Sequence, residues 1–234
     1  MPTIQTALIT GASSGLGAEF ARQLADRGYH LILTARRQSR LEQLAAELHR
    51  QASIPVEILV ADLATLEGQQ VVADHIRRLP ALDLLVNNAG FGTNGRFSQV
   101  ETHKNAAMLQ VHVNASVLLT QTALPGMLAR RQGYIINVSS MAGLVLIRSV
   151  LYATTKAFLI NFSQTLQAEL DGTGIHIQAL CPGFTYTEFH DTPEYTGYDR
   201  RKIPRWLWLT SPQVVRESLA AMHRRSVICI PGLQ

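Results

Sequence analysis

Cysteine is nearly absent from this chain: 234 residues hold two, Cys181 and Cys229, far apart and in no CxxC or Cys/His grouping. That excludes a disulfide framework and a thiolate zinc site, and it suits reduced core cysteines in a cytoplasmic protein. No apolar run reaches the roughly 20 residues that span a bilayer. The N-terminal stretch MPTIQTALIT lacks the basic-then-apolar layout of a signal peptide. Charge is sparse, with 16% Asp, Glu, Lys and Arg together and a net +4. The cations fall in small groups at Arg36-Arg37, Arg130-Arg131, Arg200–Arg205 and Arg224-Arg225. Without a long basic run, a nucleic-acid partner is not expected. Repeats, low-complexity tracts and an interdomain linker are missing as well, so residues 1–234 read as one domain.

What is present is an apolar pattern, with 47% hydrophobic residues. TALIT (6–10), HLILTA (30–35), VEILVA (56–61), LDLLVN (82–87), YIINVS (134–139), IHIQAL (175–180) and VICI (227–230) read as strands. They are nearly continuous apolar runs, as expected where helices cover both faces of a sheet. Helical patterns follow at Gly15 to about Arg27, at 41–51, and in two long stretches at about 105–130 and 150–170. Strand–helix alternation of this kind predicts an α/β fold, a doubly wound parallel sheet of about seven strands with helices on both faces. The stretch 186–210 breaks the pattern with two prolines, a glycine and aromatic residues, among them Phe189, Tyr195, Tyr198, Trp206 and Trp208. It reads as an insertion over the active site, either an apolar substrate lid, a packing patch or a subunit contact.

Three motifs carry chemistry. Thr10-Gly11-Ala12-Ser13-Ser14-Gly15-Leu16-Gly17 follows the first strand and opens the first helix. Glycines there permit close backbone approach, and the helix start offers free N–H groups to a pyrophosphate. Asn87-Asn88-Ala89-Gly90 follows the fourth strand. Tyr152 and Lys156 stand four apart in a helical stretch, so they share one face. A phenol is a poor acid or base near neutrality, with an ordinary pKa of about 10. A neighbouring ammonium is expected to lower it into a usable range.

The ordered set TGxxxGxG, NNAG and YxxxK resembles the short-chain dehydrogenase/reductase family across nearly the whole chain. The resemblance implies a Rossmann-like fold and a nicotinamide cofactor. It also implies hydride transfer at a carbonyl or alcohol carbon, with Tyr152 as acid–base, Lys156 on the nicotinamide ribose, and a serine polarising the carbonyl. Asn114 in VHVNASVLL matches the family's helix asparagine, which relays a proton through water to the lysine. For the serine, the SSxAG pattern selects Ser140, and a count of thirteen back from Tyr152 selects Ser139. Ser140 is preferred, because a loop absorbs a single deletion more readily than a strand end absorbs a register change. The resemblance further places Asp62 and Leu63 near the adenine, and Asn88, Ala89 and Gly90 along the adenine ribose. Asp62 also suits the cap of the next helix. The Pro182-Gly183 turn, with Thr185 or Thr187, is placed at the carboxamide.

Cofactor choice is argued from charge. Where NAD enzymes of this fold carry an acid after the second strand, this chain reads Thr34-Ala35-Arg36-Arg37. An arginine there pairs with a 2′-phosphate, so NADP(H) is expected over NAD(H), with Arg36 the main contact and Ser13 and Arg37 assisting. A metal is not expected. A homodimer or homotetramer paired through the two long helices is. The expected activity is NADPH-dependent reduction of a small or apolar carbonyl compound, or its reverse; the alternative is a non-enzymatic NADP(H) sensor on the same fold.

Overall fold

The computed structural model describes residues 4–93, 95–191, 199–222, 224 and 226–233. Tyr195 and Tyr198, counted above among the aromatics of the 186–210 stretch, lie outside them. The elements in chain order are β1 (Thr6–Thr10), α1 (Gly15–Ala25), β2 (His30–Ala35), α2 (Gln38–Ala52), β3 (Val56–Val60), α3 (Leu66–Arg78) and β4 (Leu84–Asn87). They continue with α4 (Thr102–Leu109), a π-helical turn (Gln110–Asn114), α5 (Ala115–Arg130), β5 (Gly133–Val138), α6 (Val150–Glu169) and β6 (Ile175–Leu180). Last come β7 (Phe184–Tyr186), β8 (Trp208–Thr210), α7 (Ser211–Ala221) and β9 (Ile228–Cys229).

Seven strands form one sheet in the order β3-β2-β1-β4-β5-β6-β9, parallel at every pairing. The expected doubly wound sheet is what forms. Its continuous apolar strands have a direct cause. Along β1, Ala7 and Ile9 point into the core shared with α1, α2 and α7, and Leu8 points into the core shared with α3 and α5. Successive side chains alternate faces, and here both faces are buried, so apolar residues fill both, and a buried polar one such as Asn87 is hydrogen-bonded.

Two helices, α3 and α7, lie where the sequence reading named no element. Thr65 caps α3 by accepting from the Gly68 amide at 3.0 Å, and Thr210 caps α7 by accepting from Gln213 at 3.3 Å. Asp62 is therefore not the cap of α3; its carboxylate instead closes a turn on the Ala64 amide at 3.0 Å. The short strands β7 and β8 pair with each other in parallel. They tie together the two ends of the 186–210 stretch, and Tyr186 stacks on Trp208 with ring centroids 4.8 Å apart. Among the described residues, no helix is long and apolar enough to cross a membrane.

Strand order reverses at the β1/β4 step, and the carboxyl ends of these strands open the crevice where such sheets bind ligands. The turn after β1 and the loop after β4 meet there.

Candidate active site

That meeting is close. Gly11 has φ +66° and Gly15 has φ +55°, a region that L side chains rarely enter. A Cβ on Gly17 would run into the Gly11 carbonyl and the Asn88 amide, and one on Gly11 would stand 2.8 Å from Ala89 Cα. The Thr10 hydroxyl binds the two segments, accepting from the Asn88 and Ala89 amides at 2.9 Å each. Asn88 Nδ2 returns a bond to the Thr10 carbonyl at 2.8 Å. Ser14, the residue before α1, makes no side-chain cap, so the first-turn amides of Gly15, Leu16 and Gly17 remain available to an anion. This cradle fits a pyrophosphate.

Beside it stand the two arginines, in different settings. Arg37 donates to Ser13 Oγ at 3.0 Å and Ser14 Oγ at 2.7 Å, and pairs with Glu188 at 3.4 Å. Arg36 is 69% exposed, with Asp62 Oδ2 at 3.9 Å. Leu63 is buried behind Asp62, and its carbonyl accepts from Gln69 Nε2 at 2.9 Å.

The other half of the crevice carries the acid–base group. Ser140 follows β5, accepts from the Ala142 amide at 3.1 Å, and its hydroxyl faces that of Tyr152, easing the phenol's pKa downward. Ser139 faces the other way: it is buried and donates to the Lys156 carbonyl at 2.7 Å. The turn at Pro182-Gly183 is tied to this loop through Met141 N–H, which donates to the Pro182 carbonyl at 2.9 Å. The Thr185 hydroxyl donates back to the Gly183 carbonyl at 3.1 Å. Thr187 lies against the glycine-rich turn, 3.4 Å from where a Cβ on Gly15 would sit. Of the aromatics of 186–210 that are described, Phe189 reaches Tyr152, with centroids 5.7 Å apart. Trp206 is exposed, and Trp208 belongs to the β7/β8 packing.

Two expectations need correction. The first concerns the phenol. Lys156 is buried, its ammonium donates to the Val138 carbonyl at 2.7 Å, and it stands 5.6 Å from the Tyr152 ring centroid. Burial pushes the Tyr152 pKa up to about 12, against a smaller lowering from the Ser140 hydrogen bond. The phenol is held in its acid form instead of being eased toward phenolate, because desolvation of the anion outweighs its polar neighbours. The same burial brings Lys156 down to about 8.

The second concerns Asn114. It is exposed, and its amide donates to Gln110 Oε1 at 3.0 Å. Two residues earlier, His112 is buried, and a Cβ on Gly90 would stand 3.0 Å from His112 Nε2 and 3.5 Å from Lys156 Nζ. Positions two apart on a helix point to nearly opposite sides. His112, not Asn114, therefore faces the lysine. Its signal was in the sequence: Met108, Val111, Ala115 and Leu119 make an apolar stripe, and position 112 lies on it while 114 does not.

Lysine burial has a measurable consequence. Lys156 holds its proton with a pKa of about 8 folded, against 10.5 as the ordinary value. Between these values the unfolded chain binds more protons, so stability rises with pH across about 8 to 10.5 and the full penalty stands at pH 7. At 1.36 kcal/mol per pKa unit that penalty is about 3 kcal/mol, partly offset by the bond to Val138. Lys156→Met should thus unfold no lower than the parent at pH 7, with Tm up by a few degrees, and the gap should close by pH 10. Thermal unfolding of both proteins at the two pH values checks this; a lower Tm for the variant at pH 7 would refute it.

Residues 5–194 match the short chain dehydrogenase family. A short-chain dehydrogenase from Sphingobium yanoikuyae, solved in complex with NADPH, superposes with a TM-score of 0.92 at 33% identity, covering 99% of this chain and 89% of that one. A bulky-bulky ketone specific alcohol dehydrogenase from Comamonas testosteroni superposes with a TM-score of 0.87 at 29% identity, covering 99% and 87%. A putative ketoacyl reductase of granaticin polyketide synthesis from Streptomyces violaceoruber is 35% identical over 77% of this chain and 68% of its own. The chain belongs to the short-chain dehydrogenase family of oxidoreductases.

Proposed function

We propose that this oxidoreductase is a single-domain, NADPH-dependent reductase of small or apolar carbonyl compounds. The observation that carries the reading is the convergence of Ser140, Tyr152 and Lys156 beside the glycine cradle. When bound, a reduced nicotinamide supplies hydride to the carbonyl carbon. Ser140 donates to the carbonyl oxygen and aligns it. Tyr152, held in its acid form, transfers its proton to that oxygen as negative charge develops. Lys156 holds the ribose side and fixes Tyr152, and Pro182, Gly183 and Thr187 border the carboxamide position.

Apolar surroundings favour an apolar substrate. Phe189 faces Tyr152, and Leu144, Val145, Leu146 and Ile147, in the loop between Ser140 and Tyr152, are all exposed. The specificity of the Comamonas relative for bulky ketones points the same way. The described part of 186–210 serves in this reading as a lid whose base is the β7/β8 pair. The stacked Phe158 and Phe162 on α6, centroids 5.7 Å apart, support self-association of the long helices into a homodimer or homotetramer. Reduced cysteines support a cytoplasmic location.

For the cofactor, the arginines support NADPH over NADH, as does the NADPH bound by the Sphingobium relative. Arg37 is committed to Ser13, Ser14 and Glu188, so Arg36 is assigned the main 2′-phosphate contact. Arg36→Asp should lower the NADPH-over-NADH ratio of kcat/KM by about 10- to 100-fold, as loss of a charge-assisted pair implies. An unchanged ratio, or a larger shift in Arg37→Ala, would reassign the contact.

The reading is tested by following NADPH oxidation with a panel of aldehydes, ketones, diketones and quinones, with NADH as control. Turnover with NADPH supports it. Tight NADPH binding without turnover of any compound would favour a sensing role instead.

A further inference from the structure

His112 lies in the π-helical turn between α4 and α5, the kind of irregularity that recurs at functional sites. It is 1% exposed, and packing alone does not call for an imidazole there. Both ring nitrogens are used: Nε2 is 3.0 Å from the Phe91 backbone nitrogen, and Nδ1 is 2.9 Å from Thr155 Oγ1.

The direction of each bond follows from the donors. A backbone N–H can only donate, so Nε2 accepts from Phe91 and the ring proton sits on Nδ1. Nδ1–H then donates to Thr155 Oγ1, and the Thr155 hydroxyl donates in turn to the Tyr152 backbone carbonyl at 2.9 Å. The chain runs one way, from the loop after β4, through the π turn, to the helix that carries Tyr152 and Lys156. The Phe91 and Tyr152 rings also meet the imidazole edge-on, with centroids 5.8 and 5.9 Å away.

We propose that His112 is a positioning residue that sets the Asn88–Phe91 loop and the Tyr152/Lys156 helix in register through its two ring nitrogens. Each nitrogen governs a different half of the site: Nε2 holds the loop that borders the cofactor cradle, and Nδ1 holds the helix that presents the acid. Burial, and then the neighbouring Lys156 ammonium, keep the imidazole well below its usual pKa of 6.5, so the neutral tautomer persists. The inference rests on the reductase reading above, because Tyr152 must be the acid for its placement to matter.

Asparagine and glutamine separate the two bonds. Asn presents a donor near the Nδ1 position and nothing at Nε2; Gln presents an acceptor near Nε2 and nothing at Nδ1. His112→Asn should weaken NADPH binding about tenfold with kcat per occupied site near the parent's. His112→Gln should keep NADPH affinity and lower kcat about 10- to 100-fold, the scale of a small misplacement of a reacting group. His112→Phe, with the ring but no nitrogens, should show both losses. NADPH Kd comes from nicotinamide fluorescence, kcat from the best ketone of the panel, and Tm is recorded for each variant. Lowered Tm with parental Kd and kcat, equal losses in the Asn and Gln variants, or the reverse split would overturn the proposal. Tyr152→Phe run alongside tells the two failures apart. If it stays active, the reductase reading has failed; if it is dead while the His112 variants match the parent, only this inference has.

Discussion

Tyr152→Phe should lower kcat by about 10²- to 10⁴-fold, the contribution of a positioned general acid, with NADPH affinity close to the parent's. The substitution removes one oxygen and keeps the ring that packs against His112 and Phe189, so the site should not collapse. The sign of the pH dependence follows from burial. With its pKa pushed up to about 12, the phenol stays protonated through the neutral range, as an acid for carbonyl reduction must. Alcohol oxidation needs the phenolate and should climb as pH rises. The same shift bears on stability: above pH 10 the unfolded phenol loses its proton before the folded one, so stability contributed by Tyr152 falls between about 10 and 12. Steady-state rates in both directions from pH 6 to 10, with NADPH Kd for parent and variant, check the argument. A Phe variant with more than a tenth of parental kcat would remove Tyr152 from its role.

Ser140→Ala should cost about 10²- to 10³-fold in kcat, the scale for one hydrogen-bond donor aimed at a developing oxyanion. Ser139→Ala should cost turnover far less. The reason lies in where the hydroxyls go. Ser140 meets the Tyr152 hydroxyl, so an oxygen accepting from both can sit between them. Ser139 donates to the Lys156 carbonyl in the protein interior. Its loss removes a second bond to a carbonyl that α6 already satisfies, a stability cost of about 0.5–1.5 kcal/mol. The two variants should therefore separate: Ser140→Ala slow with near-parental Tm, Ser139→Ala active with lowered Tm. The opposite pairing would exchange the two roles.

The sheet was legible because its signal is dense. Each of the seven strand readings rests on consecutive apolar residues, and burial on both faces leaves few other solutions. The short strands β7 and β8 were not legible, since three residues carry no period; their pairing depends on Tyr186 and Trp208 meeting across a loop. Within the site, spacing sufficed for the glycine turn and for Tyr152/Lys156, where the backbone itself determines the geometry. It did not suffice where a side chain could turn either of two ways. Asn114 has the residue type of a relay, but helical phase puts His112 and not Asn114 on the buried stripe. The phenol was expected to be lowered because sequence shows which charge is near but not how dry the pocket is. The neighbouring Arg36 and Arg37 could not be told apart from their order alone; their distinct settings follow from how the chain enters α2, which turns one toward Ser13 and the other toward Asp62.

The central claim, that these side chains direct hydride to a carbonyl carbon, is tested most directly by isotope transfer. NADPH deuterated at C4 in each configuration, incubated with the panel of carbonyl compounds, should leave one deuterium on the carbinol carbon of the product. It should come from one face of the nicotinamide only, and it should be absent with Tyr152→Phe over the same time. Tight NADPH binding with no deuterated product from any compound, or equal transfer by Tyr152→Phe, would contradict the account.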